Sequence, residues 1–202
     1  MKPVIVVNTG LCNLDSICRA LQECGGSPEI ASTGTLVRAE RIVLPGVGAF
    51  ASAMGQLGRT GLAAAVRERV LGDGVPFLGI CLGMQLAAAE GEEGGASAGL
   101  GLIPGRVTRL QPQGGDRVPH IGWNEVAQRD DATLFAGLAP GTDFYFVHSF
   151  HLQCPDDFVA ASTPYCGGFV SAVERENVFG VQFHPEKSQT AGFEVLGAFL
   201  RV

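Results

Sequence analysis

One cysteine lies in a segment that could generate a nucleophile. Residues 79–83 read GICLG and have the glycine–x–nucleophile–x–glycine pattern of a nucleophile elbow, with Cys81 in place of serine. Glycines beside such a turn remove the Cβ atoms that would collide when a helix folds back onto its strand. The amino end of that helix favours a thiolate through its dipole and its unpaired N–H groups. Taken alone, the pattern is equally compatible with a buried structural cysteine.

A histidine near the end of the chain could act as the base for this thiol. His184 follows an apolar strand that Pro185 must end, because proline cannot donate to the ladder. It is therefore expected at a carboxyl-terminal strand end, the edge where open α/β sheets place their sites. Glu186 could accept the imidazole N–H and so fix its tautomer. The two motifs together predict a triad of Cys81, His184 and Glu186.

In the first half of the chain, predicted strands alternate with predicted helices. Strands are predicted at Val4–Asn8, Pro28–Ala31, Arg41–Leu44 and Val75–Ile80, and helices at Asn13–Cys24, Leu62–Leu71 and Leu82–Glu90. Such alternation predicts βαβ units and a parallel sheet covered on both faces. After a Gly-rich loop at 91–101, turn-separated strands follow, and a last helix at 191–200. We expect one α/β domain, residues 1–202, whose mostly parallel sheet carries additional antiparallel strands.

Composition excludes several other classes of function. The formal net charge is −6 and the 14 Lys and Arg are scattered, whereas nucleic-acid binding needs a basic stripe. Apolar runs are far shorter than the ~20 residues of a spanning helix. The N-terminus MKPVIVVNTG predicts a strand rather than a signal peptide. Six cysteines without C-x-x-C spacing predict free thiols in a cytoplasmic protein. We expect no nucleic-acid partner and no membrane association.

Three histidines could be imagined as a metal cluster. His120, His148 and His151 lie within one stretch of the chain, but no carboxylate accompanies them as a further ligand. We therefore expect neither a metal nor another cofactor.

Over essentially its full length, the chain resembles the class I, triad-type glutamine amidotransferases. The segments GICLGMQ and FHPEKS resemble the family's nucleophile and His/Glu motifs, and PGVGAF at 45–50 resembles its oxyanion segment. The resemblance implies Cys81 as nucleophile, His184 as base and Glu186 as the residue that orients it. It also implies that backbone N–H groups of Val47 and Leu82 hold the oxyanion.

The same resemblance implies how glutamine is bound. Gln85 lies one helical turn past the cysteine, so its side chain would share a helix face with the thiol. Backbone groups of Gly48, Ser149 and Phe150 would complete the substrate site. Phe150 departs from the family pattern, where tyrosine is common, and Asn8 stands where an acidic residue is common.

Four segments resemble, more narrowly, the glutaminase subunits of imidazole glycerol phosphate synthases. They are PGVGAF, CLGMQ, VPHIGWN at 118–124 and YFVHS at 145–149. This resemblance implies a heterodimer with a cyclase subunit, a (β/α)₈ barrel that takes ammonia through an internal channel during histidine biosynthesis. We expect Trp123, Asn124 and Lys187 at the interface with that partner, since interface hot spots favour tryptophan.

The expected chemistry is acyl transfer. The thiolate attacks the side-chain amide of glutamine, His184 protonates the leaving ammonia, and water releases glutamate from the thioester. Three alternatives stay open: another class I amidotransferase subunit, a Cys–His peptidase or γ-glutamyl hydrolase, and a catalytically idle binding subunit. Gln85 and the GWN segment favour the amidotransferase, and the intact triad argues against an idle subunit.

Overall fold

The computed structural model describes residues 2–10, 13–34 and 36–202 of the 202-residue chain. The strands in these residues are β1 Lys2–Val7, β2 Gly26–Ala31, β3 Ile42–Gly46, β4 Phe77–Cys81, β5 Glu90–Gly91, β6 Ser97–Ala98, β7 Arg106–Arg109, β8 His120–Gln128, β9 Thr142–His148, β10 Phe150–Gln153, β11 Val159–Thr163, β12 Phe169–Arg175 and β13 Val178–Val181. The α-helices are α1 Asp15–Glu23, α2 Phe50–Arg59, α3 Leu62–Arg67, α4 Leu82–Leu86 and α5 Gln189–Arg201. No helix in the described ranges is long and apolar enough to cross a membrane.

Nine of these strands form one sheet in the order β2-β1-β3-β4-β13-β12-β11-β8-β9. The strands from β2 to β13 are parallel, and each pairing from β13 to β9 is antiparallel. The antiparallel strands therefore extend the parallel sheet at one edge. A second sheet of short strands has the order β10-β7-β5-β6. The predicted α/β class is confirmed.

Helices cover both faces of the parallel strands. Strands β3 and β4 are buried along their whole length, which agrees with apolar runs that do not alternate. One cluster of buried side chains joins α1 and α5 to one face of the sheet. A second cluster joins α2 and α3 to the other face. The carboxyl ends of β3, β4 and β13 meet between these layers, and the residues that follow them build the site.

Helix α4 is shorter than its apolar run predicts, because it ends at Leu86 rather than at Glu90. A later Gly-rich segment returns alongside the helix and supplies donors to its carbonyl end. Leu100 N donates to Leu86 O at 2.8 Å, and Leu102 N donates to Ala87 O at 2.9 Å. Tertiary hydrogen bonds thus satisfy carbonyls that a longer helix would have used internally.

The cysteines in the described residues are free thiols, namely Cys18, Cys24, Cys81, Cys154 and Cys166. Cys12 lies outside the described residues. Burial raises the pKa of the Cys154 thiol to about 11, and it also raises the pKa of Cys18, Cys24 and Cys166. These four side chains therefore favour the unreactive thiol form.

Candidate active site

Cys81 occupies a strained turn between β4 and α4. Its φ is 53° and its ψ is −110°, values that a residue with a side chain rarely adopts. A Cβ on Gly79 would lie 2.5 Å from Gly83 O, and a Cβ on Gly83 would lie 1.7 Å from Leu44 O. Both glycines are therefore required by close backbone approach, as the elbow pattern predicts. The helix that follows the cysteine has only five residues.

His184 lies beyond the end of β13, and a turn of 3₁₀-helix brings Glu186 back to its ring. His184 Nδ1 donates to Glu186 Oε1 at 2.8 Å, so the predicted pairing is present. The backbone of His184 is held on both sides: its N–H donates to Tyr145 O at 2.9 Å, and its carbonyl accepts from Ser188 Oγ at 2.7 Å. The ring can therefore present its other nitrogen to the thiol.

The charge on His184 is stabilised by its neighbours. Burial by itself lowers the pKa of His184, but Cys81 and Glu186 outweigh burial and raise it to about 10. His184 Nε2 is buried and has no aligned hydrogen-bond partner in the described part of the chain. The interaction with Cys81 is the first of the contributions that raise this pKa, so the thiol side of the site favours the charged form of the imidazole.

Two glutamine side chains connect the Cys81 thiol to the Phe150 carbonyl through hydrogen bonds. Gln182 Nε2 donates to Cys81 Sγ at 3.6 Å, and Gln182 Oε1 accepts from Gln85 Nε2 at 3.0 Å. Gln85 Nε2 also donates to Phe150 O at 2.8 Å. Both amide hydrogens of Gln85 are used in these bonds, so its amide oxygen is the atom left to meet a ligand.

A pocket of about 380 Å³ lies over Cys81. It brings together the remaining residues that the sequence assigns to the oxyanion and the substrate, namely Val47, Gly48, Leu82, Gln85, Ser149 and Phe150. A smaller cavity of about 250 Å³ lies on the other side of the Val47 turn and is bordered by His184, Glu186 and Lys187. The turn between the two cavities follows β3, whose last residue, Gly46, pairs with Cys81.

Two residues at this site are not predicted from the sequence. Glu93 is the one carboxylate among the described residues that line the pocket, and its Oε2 accepts from Phe50 N at 3.3 Å. Burial raises the pKa of Glu93, while the Phe50 N–H and Arg109 oppose that rise. The second residue is the fully buried Gln182. A glutamine inside the apolar run VFGVQF is a signal that could have identified it.

The two β8 residues assigned to a partner interface, Trp123 and Asn124, lie on opposite faces of that strand. Trp123 is 48% exposed and contacts the edge of Tyr145, with ring centroids 6.1 Å apart. Lys187 Nζ lies 5.8 Å from the Tyr145 ring, so the exposed Trp123 and Lys187 and the partly buried Tyr145 form one group, the Trp123 patch. Asn124 points to the opposite face of the strand, where its Nδ2 lies 3.2 Å from His120 Nε2.

The three histidines named above do not converge on a metal site. His120 Nδ1 lies 3.1 Å from His148 Nε2, so these two rings bind each other. His151 instead lies 3.5 Å from the hydroxyl of Thr108. Within the residues that the structure describes, no group of three or more His, Cys, Asp or Glu is placed to hold a metal ion.

Comparisons with known proteins agree with this geometry. Residues 5–200 match the family described as glutamine amidotransferase class-I. The imidazole glycerol phosphate synthase subunit HisH of Moorella thermoacetica is 47% identical over 201 residues, which cover 98% of this chain and 94% of that protein. The HisH subunit of Archaeoglobus fulgidus is 44% identical over 200 residues, which cover 98% of both chains.

A solved structure of PurLQS from Thermotoga maritima has the same fold, with a TM-score of 0.74 at 22% identity, over 99% of this chain and 98% of that chain. The fold, the extent of the family match and the identity to the HisH subunits all agree. The chain belongs to the class-I glutamine amidotransferases and, within them, to the HisH subunits of imidazole glycerol phosphate synthase.

Proposed function

We propose that residues 1–202 act as one glutamine amidotransferase domain, the glutaminase subunit of an imidazole glycerol phosphate synthase. The domain hydrolyses glutamine to glutamate and ammonia, and a cyclase subunit uses the ammonia to form imidazole glycerol phosphate and aminoimidazole carboxamide ribonucleotide in histidine biosynthesis. The observation that carries this proposal is the interaction of Cys81, which lines the substrate pocket, with His184, which is hydrogen-bonded to Glu186. A cytoplasmic location is part of the same prediction.

The first half of the reaction forms a thioester. The Cys81 thiolate attacks the amide carbon of the glutamine side chain, and the imidazolium of His184 gives its Nε2 proton to the leaving nitrogen. Ammonia departs and the γ-glutamyl group stays on sulfur. Glu186 holds the ring through Nδ1 and stabilises its positive charge.

Water completes the cycle. Neutral His184 now accepts a proton from a water molecule, whose oxygen attacks the thioester carbon and releases glutamate. In both steps the negative oxygen would be held by the backbone N–H groups of Val47 and Leu82, which border the pocket. Donors of this kind are each worth roughly 3–4 kcal/mol of transition-state stabilisation.

The pocket is suited to a free amino acid. Gln85 offers its amide oxygen, and the backbone of Gly48, Ser149 and Phe150 borders the same space. Glu93 supplies a negative charge that would pair with the α-ammonium group of glutamine. A residue in the middle of a peptide has no such ammonium group, so Glu93 favours the glutaminase over a peptidase.

The partner is a cyclase subunit, for which we propose a (β/α)₈ barrel. Trp123 and Lys187 of the Trp123 patch would contact it directly, because both are exposed and share the ring of Tyr145. Asn124 would act from the inner face of β8. The 250 Å³ cavity borders both His184 and Lys187, so ammonia formed at the triad would leave toward the same side of the molecule.

The proposal is tested by reconstitution with the cyclase. Cys81→Ala should lower glutamine-dependent synthesis by about 10⁴–10⁶-fold, the range seen when a catalytic nucleophile is removed. Synthesis from ammonium salts should be unchanged, because the variant removes only the source of ammonia. Cys18→Ala changes a half-buried thiol that lines neither of the two cavities and is the matched control. Loss of both activities in Cys81→Ala alone would contradict the proposal.

A further inference from the structure

A continuous chain of hydrogen bonds runs from strand β8 to the substrate pocket. It begins at Asn124 Nδ2, 3.2 Å from His120 Nε2, and continues from His120 Nδ1 to His148 Nε2 at 3.1 Å. His148 Nδ1 then lies 2.9 Å from the carbonyl oxygen of Phe150. That oxygen is also the acceptor for Gln85, at the wall of the pocket.

The direction of every bond in this chain follows from its two ends. A carbonyl only accepts, so His148 must carry its proton on Nδ1, and a neutral His148 then accepts at Nε2. His120 must therefore donate from Nδ1 and accept at Nε2. At the other end, Asn124 Oδ1 accepts from Glu125 N at 2.9 Å, which turns the Nδ2 donor toward His120. Assignments made independently from the two ends agree.

The two imidazoles are also held in place by packing. His120 is 3% exposed and lies between the rings of Tyr165 and Phe146, with centroids 4.0 Å and 5.0 Å away. His148 is 6% exposed and meets the ring of Phe169 edge-on at 4.8 Å. Neither ring can turn to exchange its nitrogens without displacing an aromatic neighbour, so the order of the bonds is fixed by the fold.

We propose that Asn124, His120 and His148 are positioning residues of the glutamine site, whose ordered hydrogen bonds fix the Phe150 carbonyl and, through it, the amide of Gln85. This role rests on the proposed function, because it concerns how glutamine is gripped. Both lone pairs of the carbonyl are used, one by His148 and one by Gln85. The histidines thus determine which way Gln85 presents its oxygen to the substrate.

The hydrogen-bond chain from Asn124 to the Phe150 carbonyl cannot take up an additional proton, because two donors would then face each other. A proton on His120 Nε2 would face the Nδ2 donor of Asn124, and a second proton on His148 would face the donor of His120. Burial lowers the pKa of His120 to about 4, although Asp116 opposes that change. Burial also lowers the pKa of His148 to about 3; the hydrogen bond to the Phe150 carbonyl opposes this change, and His120, His151 and His184 add to it. Both rings are therefore neutral at neutral pH, as the ordered chain requires.

The first experiment reads the tautomers directly in the wild-type protein. Two-bond ¹⁵N–¹H correlation spectra of histidine-labelled protein at pH 7 should show His120 and His148 neutral, each with its proton on Nδ1. An Nε2–H tautomer or an imidazolium at either residue would overturn the proposal. This measurement does not depend on glutaminase activity. If the wild type hydrolyses no glutamine, the proposed function fails and the spectra still decide the state of the chain.

The second experiment exchanges donor and acceptor in the hydrogen bond between Asn124 and His120. Asn124→Asp keeps the acceptor for Glu125 N but replaces the donor by a carboxylate oxygen, which requires His120 to carry a proton on Nε2. The KM for glutamine should rise about three- to tenfold, the effect of one disturbed hydrogen bond, with a smaller change in kcat. Ala127→Asp adds the same charge at an exposed position of the same strand and is the control. Equal KM values for the two variants, both folded by circular dichroism, would overturn the proposal.

Discussion

Gln182 places its amide nitrogen 3.6 Å from the sulfur of Cys81, while its amide oxygen accepts a hydrogen bond from Gln85. One fully buried side chain thus contacts both the thiol and Gln85, the residue that we propose binds the substrate. A donor to sulfur stabilises negative charge there, and an oriented Gln85 favours binding. We infer that Gln182 contributes to both halves of the reaction.

Gln182→Leu should reduce kcat/KM for glutamine about 10- to 100-fold, since hydrogen bonds to charged groups contribute about 1.5–3 kcal/mol. Leucine has a similar size but leaves the thiolate without this donor and Gln85 without this acceptor. Gln22→Leu, on the exposed side of α1, is the control and should keep full activity. Wild-type kinetics in a folded Gln182→Leu protein would show that the contact with sulfur has no catalytic effect.

Glu93→Gln should raise the KM for glutamine about tenfold with little change in kcat. The carboxylate would pair with the α-ammonium group equally in the ground state and the transition state, so its loss weakens only binding. Glutamine at this position keeps an acceptor for Phe50 N, which limits structural damage. Glu92→Gln, the exposed neighbour, controls for charge alone. Similar KM values for the two variants would exclude a specific contact with the ammonium group.

Stability at high pH should report the charge on His184. Its pKa in the folded protein is about 10, against an ordinary value of 6.5. The proton is bound more tightly in the folded state, so this stabilisation is fully present below about pH 6.5 and is lost as pH rises through about 10. The difference in unfolding free energy between wild type and Glu186→Gln should therefore be larger at pH 6 than at pH 10.

Urea denaturation at a series of pH values measures this difference. Glu68→Gln removes an exposed carboxylate in the first residue of a π-helical turn and serves as the control. The difference in unfolding free energy between wild type and Glu186→Gln could instead stay constant between pH 6 and pH 10. That result would mean that His184 is not charged in the folded protein.

Trp123→Ala should weaken binding to the cyclase by about 30-fold or more, the effect expected of an interface hot spot. Titration calorimetry with the purified partner measures this change. Leu71→Ala removes an equally exposed apolar side chain elsewhere on the surface and should bind normally. If folded Trp123→Ala binds and is stimulated like wild type, the Trp123 patch lies away from the interface.

Local sequence signals predict the parallel strands but not helix α2. Its residues Phe50, Ala53 and Leu57 are buried, but Gly55 and Gly58 each lower helix propensity by about 1 kcal/mol relative to alanine. The helix is stabilised by packing on the sheet, which no short window of sequence can reveal. Strand β10 is missed for a related reason, because it pairs with β7 across more than 40 residues.

In the site, too, local motifs can be predicted from the sequence, whereas contacts made by distant segments cannot. Cys81, His184 and Glu186 can be predicted because each lies in a motif whose turn or proline fixes its local geometry. Glu93 lines the pocket and Gln182 contacts Cys81 and Gln85 only because the folded chain brings their segments together. Asn124 was assigned with Trp123 to the interface, but the alternation of side chains along β8 places the two on opposite faces.

The closeness of Gly83 to Leu44 O has a mechanical consequence. Because a Cβ on Gly83 would lie only 1.7 Å from that carbonyl, no side chain can separate α4 from β3 there, and the two backbones are in direct contact. Cys81 directly precedes α4, and the oxyanion turn directly follows β3. We infer that this contact holds the thiol and the oxyanion turn at a fixed separation, so that an adjustment of the Val47 donor comes from peptide rotations beyond Gly46. Gly48, with a φ of +98°, is the first residue there with the freedom to make them.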